Sequence, residues 1–178
     1  WDDRRAEDLL RSQSNPDELR ALGASETTIS HVWSAIDPGK WSAGDPARER
    51  LPTGTFVVRV EARFESAHFL REYRGISEPL HGHSYKVEAE LAGKGGGVDS
   101  DAIAVDFVSA KRKLETLAKR LDYKCINDVA PFDAINPTAE HIAAWFHREL
   151  SAAVAGENAI VLAVTIWEGP VNSVRFQP

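Results

Sequence analysis

Hydrophobic and polar residues alternate along two stretches of the chain, residues 56–64 and 83–91. A period of two places alternate side chains on opposite faces, so both stretches are predicted to be half-buried β-strands. Residues 159–167 are apolar at all but one position and predict a more deeply buried strand. A fourth, shorter strand is predicted over residues 103–107.

Apolar residues spaced by three and four predict two helices. The first covers residues 108–121, where three leucines fall on one stripe. The second covers residues 137–154 and opens at Pro137, a residue favoured in the first turn of a helix. The predicted order is therefore strand, strand, helix, helix, strand, with short pieces between.

The first 52 residues have a different pattern. Helix signals occur at residues 15–22 and 25–36, and residues 40–52 combine glycine, proline and charge as linkers do. We therefore divide the chain into a helical N-terminal extension with a linker, residues 1–52, and a core domain, residues 53–178.

The two helix signals in this extension superficially resemble a helix-turn-helix. The second one carries no arginine or lysine, and the segment as a whole is acidic, which argues against DNA binding. We favour a small extension that packs on the core or covers the mouth of an active site.

Charge and composition narrow the possible partners. The net charge of −6 and the isoelectric point near 5.5 argue against wholesale binding to a phosphate backbone. No apolar run approaches the roughly 20 residues that span a bilayer, and no secretory signal pattern is visible. A single cysteine, Cys125, excludes an intrachain disulfide and fits a reducing compartment. We expect a cytoplasmic protein without nucleic-acid or membrane partners.

Histidines carry the candidate chemistry. His81 and His83 are separated by one glycine within a predicted strand, so both imidazoles point to one face. His68 follows the first core strand and returns beside them if the two strands pair antiparallel through residues 69–80. Three neutral imidazoles with an open fourth position are the ligand set of a catalytic zinc. The alternative is that these are polar strand residues without a metal.

Six short motifs, in order and with consistent spacing, carry a family resemblance over residues 53–176. They resemble those of the 6-pyruvoyl-tetrahydropterin synthase and 6-carboxy-tetrahydropterin synthase family. The motifs are Ala67-His68, His81-Gly82-His83-Ser84-Tyr85, Val105-Asp106-Phe107, Leu121-Asp122-Tyr123, Asn136-Pro137-Thr138-Ala139-Glu140 and Trp167-Glu168.

The resemblance implies an α+β tunnelling fold, with a four-stranded antiparallel sheet and two helices on one side. It further implies that subunits join their sheets into a barrel, as a homo-oligomer such as a trimer or hexamer. Active sites would then lie at subunit interfaces.

The resemblance also implies roles for individual residues. The three histidines would hold Zn²⁺, and Glu168 would accept hydrogen bonds from a pterin-like ring. Thr138 and Glu140 would line the same pocket. Thr138, Glu140 and Glu168 each have a plainer interpretation. Thr138 could cap the helix, Glu140 could be a charge that favours the helix N-terminus, and Glu168 could be a solvated charge at the end of a strand.

Two catalytic positions depart from the family pattern. Ser77 stands where the family usually has a cysteine that transfers protons, and Tyr123 replaces the histidine that usually follows Asp122. Neither serine nor tyrosine, whose usual pKa is about 10, readily moves protons at neutral pH. Glu78, beside Ser77, is a candidate general base or acid, and its alternative is an ordinary loop charge before Pro79.

These observations lead to two hypotheses of different classes. In the first, the protein is a zinc-dependent lyase or cyclase in which Ser77, Glu78, Asp122 or Tyr123 forms an altered proton-transfer site. Its substrate would be a pterin-like molecule or another carbonyl or polyol compound, such as one of specialised metabolism. In the second, the fold holds zinc and binds a pterin or purine-like ligand without converting it.

Overall fold

The computed structural model describes residue 20 and residues 25–27, 54–99 and 102–178. The chain divides into two compact units, Trp1–Arg50 and Leu51–Pro178. In the first unit, Nε of Arg20 lies 2.6 Å from Oε1 of Glu26. Most of the helices predicted within residues 1–52, and their linker, lie outside the described residues.

A five-stranded sheet forms the centre of the second unit. Its strand order is β3-β1-β2-β4-β5, with β3 parallel to β1 and every other pair antiparallel. The strands are β1 (Val58–His68), β2 (His81–Ala92), β3 (Lys124–Cys125), β4 (Ile160–Glu168) and β5 (Asn172–Phe176). The predicted α+β fold is thus confirmed. Beyond the four antiparallel strands that the resemblance implies, the sheet contains the two-residue strand β3, which pairs parallel to β1.

Two helices, α1 (Phe107–Ala118) and α2 (Ala139–Ala153), bury their apolar faces against the sheet. The side chain of Asp106 caps α1, accepting hydrogen bonds from the backbone of Val108 and Ser109 at 2.9 and 3.1 Å. The prediction of a strand over residues 103–107 was wrong, because this cap starts a helix at Phe107 instead.

The sheet has one buried and one exposed face, as the alternation predicts. Side chains facing the helices, such as Phe64, Val87 and Ile166, are almost fully buried, and each contributes about 1.5–3 kcal/mol through burial. The opposite face carries charged pairs such as Arg59 and Glu90, whose Nη2 and Oε1 are 3.0 Å apart. Among the described residues, no helix has the length and apolar character needed to cross a bilayer.

Candidate metal centre and active site

The three predicted histidines meet where β1 ends and β2 begins. The register pairs His68 directly with His81, and His83 follows on the same face of β2. One ring nitrogen from each of the three lies within 4.8 Å of the others. The 12-residue loop between the strands therefore returns the chain to complete the cluster.

Backbone carbonyls orient two of these rings. Nδ1 of His68 lies 3.0 Å from the carbonyl oxygen of Pro137, and Nδ1 of His81 lies 2.9 Å from that of Pro79. A carbonyl can only accept, so Nδ1 carries the hydrogen, and in the neutral ring Nε2 keeps its lone pair. Nε2 of His68 is buried without a hydrogen-bond partner. An orphaned imidazole nitrogen in such a cluster fits a divalent metal that prefers nitrogen ligands.

Glu168 closes the cluster on the side of β4. Its Oε1 is 3.1 Å from Nε2 of His68 and 3.6 Å from Nε2 of His83, and it accepts a 3.0 Å hydrogen bond from the hydroxyl of Tyr85. The 3.1 Å approach lacks hydrogen-bond geometry. In the metal-free chain, the interaction with the His68 imidazole, which stabilises the carboxylate when that ring is protonated, is the main cause that holds the pKa of Glu168 at about 2. The carboxylate is therefore ionised at neutral pH.

Tyr85 is a site residue that the sequence analysis missed. Its ring is buried and stacked on Phe64, with centroids 4.8 Å apart and planes 9° apart. Burial and the nearby charge of Glu168 raise the pKa of Tyr85, so its hydroxyl stays a donor. The signal was present in the sequence, because Tyr85 lies two residues after His83 and so shares its face.

The histidines differ in their electrostatic surroundings. Burial works to lower the pKa of His68, but the Glu168 carboxylate and the Pro137 carbonyl raise it above its usual value overall. Burial lowers the pKa of His83 below its usual value. His83 is therefore neutral at pH 7, the state in which an imidazole can bind a metal.

Glu78 lies at the edge of the cluster, whereas its neighbour Ser77 is exposed. Oε2 of Glu78 accepts a 3.2 Å hydrogen bond from the backbone of Leu70 and is 4.0 Å from Nδ1 of His81. Of the four predicted proton-transfer residues, Glu78 is thus the one in contact with the histidine cluster in this chain.

Asp122 and Tyr123 instead contact the backbone of β1. Oδ1 of Asp122 accepts a 2.9 Å hydrogen bond from the backbone of Glu65, and the backbone N–H of Tyr123 donates to the Glu65 carbonyl at 2.6 Å. Tyr123 has a φ of 52° and is 84% exposed. It lines an open groove together with Glu65, Ser84 and the cluster residue His83.

The predicted pocket residues at the start of α2 have different positions. Thr138 is the N-cap of α2, and its hydroxyl accepts a 3.3 Å hydrogen bond from the backbone of His141. Glu140 is exposed in the first turn of the helix. This segment reaches the histidine cluster through the carbonyl of Pro137.

Residues 57–178 match the family model for 6-pyruvoyl tetrahydropterin synthase. The chain belongs to this family. The resemblance carried by the six motifs is thereby confirmed, and the family domain accounts for all of the described sheet and both helices.

Curated members of the family include relatives with different activities. A 6-carboxy-5,6,7,8-tetrahydropterin synthase from Synechocystis is 32% identical over 115 residues, covering 62% of this chain and 87% of the relative. A dihydroneopterin monophosphate aldolase from Pyrococcus furiosus is 27% identical over 116 residues, covering 65% and 92%. Family membership therefore shows a relation to pterin enzymes without selecting one reaction.

A solved structure supports the fold. The Caenorhabditis elegans 6-pyruvoyl tetrahydropterin synthase superposes with a TM-score of 0.58 at 20% identity, covering 71% of this chain and 99% of that one. The sheet with two helices is thus the tunnelling fold of the family.

Proposed function

We propose that this protein is a zinc-dependent lyase of pterin metabolism with an altered proton-transfer site. The observation that carries the proposal is the cluster of three imidazoles beside an ionised carboxylate. The names of the relatives, synthases of tetrahydropterins and an aldolase of dihydroneopterin monophosphate, support a lyase-type role for the family domain.

The geometry supports the following roles for individual residues. His68, His81 and His83 hold zinc, which would supply a Lewis acid for a substrate carbonyl or vicinal hydroxyls. Glu168 binds the pterin, because an ionised carboxylate accepts two parallel donors well. Tyr85 orients that carboxylate through the hydrogen bond to Oε1.

Proton transfer is assigned to Glu78. It is the member of the predicted proton-transfer group that contacts the cluster, through its 4.0 Å approach to His81. Ser77 is exposed, and the Asp122 carboxylate is engaged by the backbone of Glu65. A carboxylate in place of the usual cysteine and histidine supports a reaction other than the ordinary conversion of dihydroneopterin triphosphate.

The substrate assay is direct. The zinc-loaded protein is incubated separately with dihydroneopterin triphosphate and with dihydroneopterin monophosphate, and the pterins are separated by chromatography. We expect slow or no formation of 6-pyruvoyl- or 6-carboxy-tetrahydropterin from the triphosphate. Turnover to either product at rates ordinary for the family would refute the altered reaction.

A Glu78→Gln variant separates an enzyme from a binding protein. If the chain is an enzyme, this variant loses turnover of the pterin that the wild type consumes while it keeps affinity for that pterin. Glu72→Gln, an exposed glutamate of the same loop, is the matched control and should retain both. Pterin binding by the wild type without consumption of either substrate would favour a non-catalytic ligand-binding protein.

We also propose a homo-oligomer, a trimer or hexamer with sites at subunit interfaces. Strand β5 pairs on one side only within the described sheet, and Tyr73, Ile76 and Leu80 of the loop after β1 are exposed. Light scattering should give three or six times the chain mass of 19.6 kDa, and a monomer would contradict the proposal. Removing residues 1–52 tests whether the predicted N-terminal extension contributes to assembly or activity.

A further inference from the structure

Two asparagine side chains pair with the backbone immediately after the metal ligand His68. The N–H of Phe69 donates to Oδ1 of Asn127 at 3.0 Å, and Nδ2 of Asn127 donates to the Phe69 carbonyl at 2.9 Å. Asn136 forms the same reciprocal pair with Arg71, at 2.8 and 2.9 Å. Each amide thus acts as a peptide group of a neighbouring strand would, and continues the hydrogen bonding of β1 past its last residue.

Leu70 lies between Phe69 and Arg71, and its backbone forms hydrogen bonds with Glu78 instead of with an asparagine. Its N–H donates to the carboxylate of Glu78 at 3.2 Å, and its carbonyl accepts from the backbone of Glu78 at 2.9 Å. Glu78 lies three residues before His81. Residues 69–71 therefore connect the end of β1 with the chain that enters β2.

The guanidinium of Arg71 completes the contact with residues 127–136. It donates to the carbonyl oxygens of Phe132 and Ile135 at 3.0 and 3.1 Å, and to that of Asn127 at 3.3 Å. Its planar fork of donors suits several carbonyls at once, which a lysine cannot match. We call Arg71, Asn127 and Asn136 the clamp.

The clamp forms a closed ring with His68. From His68 the chain runs three residues to Arg71, whose backbone is paired with Asn136, and Asn136 precedes Pro137. The carbonyl of Pro137 then accepts the hydrogen bond from Nδ1 of His68. A displacement of residues 127–136 would therefore move the group that fixes both the tautomer and the direction of the His68 ring.

We propose that Arg71, Asn127 and Asn136 are positioning residues of the metal centre, which hold the Pro137 carbonyl so that Nε2 of His68 faces the metal. This inference rests on the metal site of the proposed function. It assigns a role toward the metal to Asn127 and Asn136, which are remote from His68 in sequence, and to Arg71, and each of the three side chains binds backbone groups near the metal ligand. The expected consequence of their loss is a weaker and differently shaped metal site in a chain that still folds.

The test compares two asparagines whose side chains each accept one backbone hydrogen bond and donate another. Asn136→Ala removes the reciprocal pair with Arg71. Asn158→Ala removes a bond accepted from the backbone of Lys94 at 3.1 Å and one donated to the Ala104 carbonyl at 3.4 Å, and Lys94 follows the end of β2 opposite to the cluster. Metal-free proteins are titrated with Co²⁺ while its visible d–d absorption is recorded, and Zn²⁺ affinity is obtained by competition with a chelating dye.

We expect Asn136→Ala to raise the dissociation constants for Co²⁺ and Zn²⁺ about ten- to one hundred-fold, as loss of outer partners of metal ligands does, and to change the Co²⁺ spectrum. Asn158→Ala should leave the dissociation constants and the Co²⁺ spectrum unchanged. We expect this even if thermal unfolding shows that both substitutions destabilise the metal-free chain to a similar extent. Wild-type affinity and spectrum in Asn136→Ala, or equal weakening in Asn158→Ala, would overturn the inference.

Arg71→Met is the second variant, which keeps the inference testable if Asn136→Ala fails to fold. Removing a positive charge should by itself favour a cation, so weaker metal binding in Arg71→Met would point to lost positioning. Unchanged or tighter binding would contradict a role for Arg71. If the wild-type chain binds no Zn²⁺, the proposed metal centre itself is refuted. That outcome is distinct from a chain that binds Zn²⁺ with an affinity that does not depend on the clamp.

Discussion

Replacing His81 by alanine should remove most of the stabilisation that zinc confers on the fold. His81 is the suitable ligand to change because its side chain is 35% exposed, whereas that of His68 is 5% exposed. The metal-free His81→Ala protein should therefore unfold near the temperature of the metal-free wild type. Any difference that appears only with zinc then reports metal binding.

The size of the effect follows from linkage. A ligand at one hundred times its dissociation constant stabilises the native state by about 2.7 kcal/mol. For the unit Leu51–Pro178, an unfolding entropy of about 2.1 cal/mol/K per residue converts this free energy into a rise of about 10 °C in the midpoint. If loss of one imidazole weakens binding about one hundred-fold, the same zinc concentration stabilises by only about 0.4 kcal/mol, or 1–2 °C.

Differential scanning calorimetry of the metal-free and zinc-saturated proteins measures these shifts. His147→Gln provides the control, since His147 lies on α2 and bonds to the carbonyl of Val161 outside the cluster; it should keep the full zinc-induced rise. An equal rise in His81→Ala and wild type would show that zinc binds elsewhere, and the three-histidine centre would be refuted.

Three further predictions concern single side chains. Tyr85→Phe keeps the stacked ring but removes the donor to Glu168, so it should lower the free energy of unfolding of the metal-free chain by about 1.5 kcal/mol in urea titrations; an unchanged value would contradict the bond. Leu114→Ala, at a position with no solvent exposure, should lower the free energy of unfolding by about 2–5 kcal/mol in the same assay. A decrease under about 1 kcal/mol would mean that Leu114 is not tightly packed in the core. The hydrogen bond from Arg120 lowers the pKa of Glu149. The contribution of Glu149 to the free energy of unfolding is therefore present above the usual glutamate pKa of about 4.3 and is lost as the pH falls below it. Glu149→Gln should destabilise the chain at pH 7 but not at a pH low enough to protonate the carboxylate, and an equal effect at both pH values would refute the pairing of Glu149 with Arg120.

The histidine cluster could be predicted because it depends on local geometry. The spacing of His81 and His83 places two imidazoles on one face in any strand, and antiparallel pairing brings back a residue at the end of the preceding strand. The same alternation contained Tyr85. Strand β5 was not predicted, because its five residues at the sheet edge follow a turn at Gly169, with a φ of 71°, and the apolar pattern ends before it.

The positions of the proton-transfer candidates could not be read from local pattern, because long-range backbone contacts decide them. Tyr123 lies beside the edge of β1, since its left-handed backbone and its bond to Glu65 fix the turn after α1 against that strand. Glu78 reaches the cluster since Leu70, eight residues earlier, binds both its carboxylate and its backbone. Neither contact has a periodic signature, because each involves irregular chain outside the strands and helices. A departure from the family's motifs therefore predicts which groups are missing, whereas a candidate replacement is found only where the folded backbone brings another titratable side chain to the histidine cluster.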